Sequence, residues 1–123
     1  MDPNLIVKTA AVLLTLGIFG GIAMAAARFR GMPRPPIWLA MLHGLAAASA
    51  LTLLLFASLT IGLATIVNVA LTLFLLAAIG GIIMNLNYHW KLRPLPVWLV
   101  LVHAAIAVSG YLLLLASVFS SHV

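Results

Sequence analysis

Long uncharged stretches separate the few charged positions of this chain, and their lengths predict its elements. Nineteen uncharged residues lie between Lys8 and Arg28, 56 lie between Arg34 and Lys91, and 30 follow Arg93. A helix needs roughly 20 apolar residues to cross a bilayer, so the first and last stretches each supply one crossing. The middle stretch would form a helix about 84 Å long against a hydrocarbon core of about 30 Å, so it must fold back once.

The fold-back is expected near Ser58–Gly62, where serine, threonine and glycine interrupt a run of leucines. The pattern therefore predicts an all-α membrane protein, with residues 1–123 forming a single domain of four transmembrane helices in an up-down bundle. The predicted helices are 5–28, 36–58, 63–87 and 96–119.

The composition agrees with this prediction and excludes other classes. Hydrophobic residues make up 66% of the chain and charged residues 6%, whereas an average soluble domain is about half apolar and about one quarter charged. A globular cytosolic domain and a disordered chain are both excluded. The absence of cysteine excludes a disulfide framework, a thiolate metal site and an iron–sulfur cluster. We expect an integral membrane protein surrounded by the lipid bilayer.

The basic residues cluster in two connections and predict the orientation of the bundle. Arg28, Arg30 and Arg34 lie in the first connection, and Lys91 and Arg93 lie in the second. Both connections fall on one side of a four-helix stack, and the positive-inside bias makes that side cytoplasmic. The termini and the middle turn then face outward, in a bacterial inner membrane. Nucleic acid is not an expected partner, because the connections are too short to build a binding face.

The two halves of the chain align without a gap when one is shifted by 60 residues. Matches between leucines are common in membrane proteins, whereas matches of histidine, tryptophan, proline and paired glycine are not. The simplest account is a duplicated helical hairpin, with repeats 5–58 and 63–119 related by a pseudo-two-fold axis along the membrane normal. The matched pairs include Gly20/Gly80, Gly21/Gly81, Met24/Met84, Pro36/Pro96, Trp38/Trp98 and His43/His103.

The matched histidines are the candidate functional residues. His43 and His103 each lie seven residues after a proline, at Pro36 and Pro96, and so roughly 10 Å inside the cytoplasmic ends of their helices. Ionisable residues inside a bilayer are rare and usually functional. From diagonal helices the pair can supply imidazole nitrogens to both faces of one planar cofactor. Haem b is the candidate, because haem iron takes axial histidines.

Other matched residues are suited to the surroundings of such a ring. Glycines on helices one and three would let a flat ring approach the backbone, and cations at the cytoplasmic interface could pair with the haem propionates. The predicted site holds one haem b per chain, with His43 and His103 as the iron ligands. The glycines are Gly20, Gly21, Gly80 and Gly81, and the cations are Arg28, Arg34, Lys91 and Arg93.

This arrangement resembles the b-type cytochromes of the cytochrome b561 and respiratory cytochrome b kind. In those families, histidines on two helices of a membrane bundle bind haem, and glycines on other helices make room for the ring. The resemblance implies that His43 and His103 are axial ligands and that the four glycines are spacers. Those families usually carry two histidine pairs and two haems. Here one pair is embedded, since His89 falls in a connection and His122 at the tail.

The predicted function is one-electron transfer to or from a membrane redox partner or a quinone. The sequence offers no nucleophile with a base, no embedded carboxylate and no long loop, so an electron-transfer protein is favoured over a stand-alone enzyme. The alternative is a non-catalytic accessory or assembly subunit of a larger membrane complex, in which the histidines are structural. Proton handling, a bound metal or quinone, and Met24 or Met84 as an axial ligand also stay open here, as does a homo- or hetero-oligomer.

Overall fold

The computed structural model describes residues 2–120 and consists of four long α-helices joined by short connections. One π-helical turn, Asn85–His89, continues the third helix. The predicted all-α four-helix fold is confirmed, whereas His122 lies outside the described residues. Helices α1 to α4 span, in order, Pro3–Phe29, Ile37–Thr60, Thr65–Met84 and Val97–Ser120.

All four helices are long and apolar enough to cross a membrane, with the third counted to the end of its π-helical turn. Their most apolar windows have mean hydropathies of 2.0 to 2.5. Large apolar side chains cover the outer surface as well as the interior, as Leu59 and Phe119 illustrate. A helix that is apolar on every side is typical of a membrane span, so this surface is suited to contact with lipid.

The helices form a four-membered bundle in which sequential neighbours pack together. Helix α1 packs along α2, α3 packs along α4, and the two hairpins meet through α1 with α4 and α2 with α3. No close backbone approach joins α2 to α4 among the described residues. Helices α2 and α4, which carry the candidate histidines, therefore lie diagonally across the bundle, as the sequence predicts.

Tight packing is confined to one half of the bundle. We call residues 2–17, 50–77 and 110–120 the turn half, and residues 18–49 and 78–109 the basic half. The turn half contains a core contributed by all four helices. In the basic half, the buried residues are only Pro35, Leu95 and Leu99. The core of the turn half includes Val7, Leu54, Val67 and Leu114, each fully buried.

Two side-chain hydrogen bonds join the hairpins within the turn half. The hydroxyls of Thr15 in α1 and Tyr111 in α4 are 2.7 Å apart. The Ser58 hydroxyl of α2 donates to Asn68 Oδ1 of α3 at 2.7 Å, and Asn68 Nδ2 donates to the carbonyl of Leu63 at 2.9 Å. Interhelical hydrogen bonds of this kind stabilise membrane bundles where water is absent. The turn half is therefore the rigid end of the molecule.

The turn between α2 and α3 lies slightly later than the sequence predicts. Ser58 is still helical, with its hydroxyl bonded to α3, and α2 ends only at Thr60. Gly62 then adopts a left-handed conformation with φ of 83°, and its N–H donates to the carbonyl of Ala57 at 3.0 Å. Glycine commonly ends a helix in this way because it has no Cβ to clash. The predicted end of the second helix at 58 and the predicted start of the third at 63 are therefore each two residues earlier than the observed bounds.

The two basic connections differ by one residue in register. The first contains Gly31 in the left-handed conformation, with φ of 97°, and the 60-residue shift would place the same conformation at Lys91. The π-helical turn at Asn85–His89 takes up one extra residue, so the left-handed position falls instead at Leu92, with φ of 56°. A side chain in this conformation costs roughly 1–2 kcal/mol relative to a right-handed one.

This strain makes a prediction about stability. We expect Leu92→Gly to raise the free energy of unfolding by about 1 kcal/mol, because the side chain is 74% exposed and little packing is lost. The reverse exchange, Gly31→Leu, should lower it by about 1–2 kcal/mol. Denaturant unfolding in detergent, followed by circular dichroism, measures both. If Leu92→Gly and Gly31→Leu lowered the free energy of unfolding equally, Leu92 would not be strained.

Candidate functional site

His43 of α2 and His103 of α4 meet across the middle of the bundle. Their ring centroids are 6.1 Å apart, with 66° between the ring planes. Both side chains are half-buried and both lie in the basic half, where the helices are loosely packed. The structure therefore brings together the two residues that the sequence singles out.

Each histidine is oriented by a backbone carbonyl of the neighbouring helix in its own hairpin. Nδ1 of His43 is 2.7 Å from the carbonyl oxygen of Gly17, and Nδ1 of His103 is 2.8 Å from that of Ala77. A carbonyl oxygen can only accept, so Nδ1 is the donor in both bonds. In a neutral imidazole the other nitrogen, Nε2, then carries an unprotonated lone pair.

The two Nε2 atoms are accessible. Neither forms a hydrogen bond within the part of the chain that the structure describes, where the histidine bonds are those made by Nδ1. No buried side-chain nitrogen or oxygen in that part lacks a partner. Both Nε2 atoms therefore lie where an additional group can reach them. The arrangement therefore leaves one accessible imidazole lone pair on each of two neighbouring rings.

The four candidate glycines lie against the histidine side chains. A Cβ atom added at Gly21 would lie 3.2 Å from Cε1 of His43, and one added at Gly81 would lie 3.4 Å from Cε1 of His103. A Cβ atom added at Gly20 would lie 3.6 Å from Cβ of His43, and one added at Gly80 would lie 3.6 Å from Nδ1 of His103. The glycines therefore let each histidine side chain lie directly against the backbone of α1 or α3, and their role beside a porphyrin stays a prediction.

The hydrogen-bond partners of the two histidines are also related by the 60-residue shift that aligns the halves of the sequence. Gly17 and Ala77 are 60 residues apart, as are His43 and His103. The sequence analysis does not identify the two carbonyls as partners, because a backbone oxygen leaves no signature in residue type. The signal that could have found them is the small residue at both positions, which allows a ring to approach the helix.

The candidate cations lie together at one end of the bundle and differ in their surroundings. Arg28 is half-buried, and its Nε donates to the carbonyl of Leu95 at 2.7 Å. The N–H of Leu95 in turn donates to the carbonyl of Pro33 at 3.1 Å. Because Leu95 belongs to the second basic connection and Pro33 to the first, these bonds tie the two connections together.

The other three cations are less constrained. Arg34 is half-buried and lines a cavity between the two connections. Lys91 is exposed and donates from Nζ to Asn87 Oδ1 at 3.2 Å, and Arg93 is exposed. All four cations thus lie at the basic end of the bundle, the same half that contains the two histidines.

The donor set defines which groups the site can bind. The described residues contain no cluster of three or more His, Cys, Asp or Glu side chains that could hold a metal ion. Two imidazoles alone leave a metal ion short of ligands, whereas a haem supplies four nitrogens of its own.

Comparison of the chain with models of protein families, with curated proteins and with solved structures gives no match. The geometry of the histidine pair is therefore the basis for assigning a function to the chain.

The contact between Gly21 and His43 generates a prediction. Alanine at a helical glycine raises stability by roughly 0.5–1 kcal/mol where its Cβ fits, and we expect this gain for Gly17→Ala and Gly81→Ala. At Gly17 the nearest atoms would be 4.0 Å away. Gly21→Ala should instead lower the free energy of unfolding by about 1 kcal/mol, because the His43 ring must move and its bond to Gly17 weakens.

Denaturant unfolding of the three variants in detergent tests this expectation. Gly17→Ala, on the same helix, and Gly81→Ala, on the equivalent helix α3, are the matched controls, since the nearest atoms to the added methyl group would be 4.0 Å and 3.4 Å away. An equal gain for all three variants would show that the His43 ring does not lie against Gly21.

Proposed function

We propose that this chain is a membrane-embedded haem b protein that carries one-electron transfer, with His43 and His103 as the axial ligands of one haem per chain. The observation that carries the proposal is the pair of Nδ1–carbonyl hydrogen bonds, which leaves an accessible Nε2 lone pair on each ring. Histidines that bind metals almost always donate their other N–H in this way. When bound, the haem supplies the one-electron redox couple.

The separation of the rings supports the proposal. The ring centroids of His43 and His103 are 6.1 Å apart, so the two imidazoles lie close enough together to hold a single metal centre between them. If haem is bound, these two residues would supply the protein's nitrogen ligands.

The division of the bundle into two halves also favours a ring at this level. Each histidine bond stays within one hairpin, so a ring held between the two imidazoles breaks neither bond. The bonds that join the hairpins lie elsewhere, in the turn half and between the basic connections. The scarcity of buried side chains in the basic half means that little packing has to be displaced.

The role of the protein in this proposal is to hold, orient and shield the ring. The backbone carbonyls fix the tautomer of both ligands, and the glycines support the imidazoles from behind. Arg28, which is half-buried, and the exposed Lys91 and Arg93 supply positive charge for the propionates. In this proposal the four helices cross a bacterial inner membrane with the basic connections in the cytoplasm, and the redox partner is a quinone or a membrane protein.

The visible spectrum of the purified chain is the test. Expressed with ample haem, the protein should bind one haem per chain and give a reduced-minus-oxidised spectrum of a low-spin, bis-imidazole centre. His43→Ala and His103→Ala should each abolish that spectrum. His89→Ala is the control, because His89 lies in the connection after α3, and it should leave the spectrum intact.

Two outcomes would contradict the proposal. If Met24→Leu or Met84→Leu alone converts the spectrum to high spin, the ligation is histidine with methionine. If no Soret band forms, the alternative of a non-catalytic accessory or assembly subunit is favoured. That alternative has a specific observation behind it, since hydrogen bonds and glycine contacts already give both histidine rings a role in joining helices.

A further inference from the structure

A cavity at the basic end of the bundle includes neither histidine of the central pair. It has a volume of about 500 Å³ and lies between the start of α2 and the connection that follows α3. Both hairpins contribute to it. Its lining residues are Arg34, Pro35, Ile37, His89, Trp90 and Leu92.

The charge around this cavity is positive and has no counterpart within the chain. Five of the six lysine and arginine residues lie in the two basic connections and the adjoining helix ends, whereas the one acidic residue, Asp2, precedes α1 at the opposite end of the bundle. Arg34 is half-buried, so its guanidinium group has lost part of its contact with water. Because partial burial of a charge is unfavourable without a partner, an anion from outside the chain would stabilise this end.

The chemistry of the lining selects the kind of anion. The guanidinium group of Arg34 matches the paired oxygens of a phosphate, and the His89 ring and the Trp90 indole can each donate a further N–H. Ile37 and Leu92 add apolar surface beside these donors. A ligand that bonds to the N–H donors and also packs on the apolar surface carries both a phosphate and a hydrocarbon chain. Tryptophan is also enriched at the depth of lipid head groups.

The lining of this cavity is not repeated in the other half of the chain. The shift of 60 residues that relates the two halves puts Pro94 in place of Arg34, Phe29 in place of His89 and Arg30 in place of Trp90. The equivalent set therefore has one guanidinium group, on the exposed Arg30, and lacks both the imidazole and the indole. On that side the Nε–H of Arg28 donates to a carbonyl of the α3–α4 connection at 2.7 Å. The departure from two-fold symmetry concentrates the donors at one place.

We propose that this cavity binds the phosphate of an anionic phospholipid. Arg34 holds the phosphate oxygens, His89 and Trp90 donate to the head group, and the acyl chains run over Ile37 and the outer surface of α2. Basic pockets near the cytoplasmic ends of membrane helices bind such head groups. This site uses no histidine of the central pair and does not require haem.

Native mass spectrometry of the full chain in detergent tests the proposal. We titrate delipidated protein with phosphatidylglycerol and, separately, with phosphatidylcholine. The wild type should retain one phosphatidylglycerol in preference to phosphatidylcholine, and Arg34→Gln should weaken that binding by about tenfold. The matched control is Arg30→Gln, which removes the same charge from an exposed position outside the cavity and should change the affinity by less than about twofold.

Further measurements distinguish a lipid phosphate from free phosphate and separate a loss of binding from a loss of folding. His89→Leu is a second variant, expected to weaken phosphatidylglycerol binding with unchanged circular dichroism. Inorganic phosphate that binds as well as the lipid would identify a free-anion site and overturn the proposal. Equal retention of both lipids, or equal loss in the Arg34 and Arg30 variants, would also overturn it. If loading with haem displaces the lipid, Arg34 belongs to the propionates and the proposal fails.

Discussion

The hydrogen bond from histidine Nδ1 to the carbonyl of a neighbouring helix is the interaction on which the candidate site depends. The bond fixes the tautomer, holds the ring against the glycines of the same hairpin, and leaves Nε2 accessible. Without it, an imidazole in an apolar interior would carry an unsatisfied donor, which costs about 1–3 kcal/mol. Because the bond forms within each hairpin, each hairpin orients its own ligand, and the two rings meet when the hairpins associate.

The bundle combines a rigid half with an open half, and this division suits a binding protein. Leucine, valine, phenylalanine and alanine side chains form the core of the turn half, where two interhelical hydrogen bonds join the hairpins. In the basic half the buried residues are Pro35, Leu95 and Leu99. A bundle held at one end can accept a group at the other without losing its fold, because the core that stabilises it is not involved.

Counting uncharged residues was sufficient to predict four helices, and matching the halves was sufficient to find the histidine pair. Both signals are properties of residue type and spacing. The helix end at Gly62 and the π-helical turn at Asn85–His89 were not predictable in this way, because they depend on backbone conformation. The carbonyl partners and the cavity beside Arg34 depend on which segments meet in space, as the two basic connections do through the hydrogen bonds of Leu95.

The measurement that tests the central claim most directly is ¹⁵N nuclear magnetic resonance of the histidine-labelled chain in bilayers during a titration with haem. Before haem is added, His43 and His103 should both give a protonated Nδ1 and an unprotonated Nε2 signal. Both Nε2 signals should then shift out of the diamagnetic range together, and this change should be complete at one haem per chain. A protonated Nε2 in the haem-free chain, or Nε2 signals that persist at one equivalent of haem, would contradict the account.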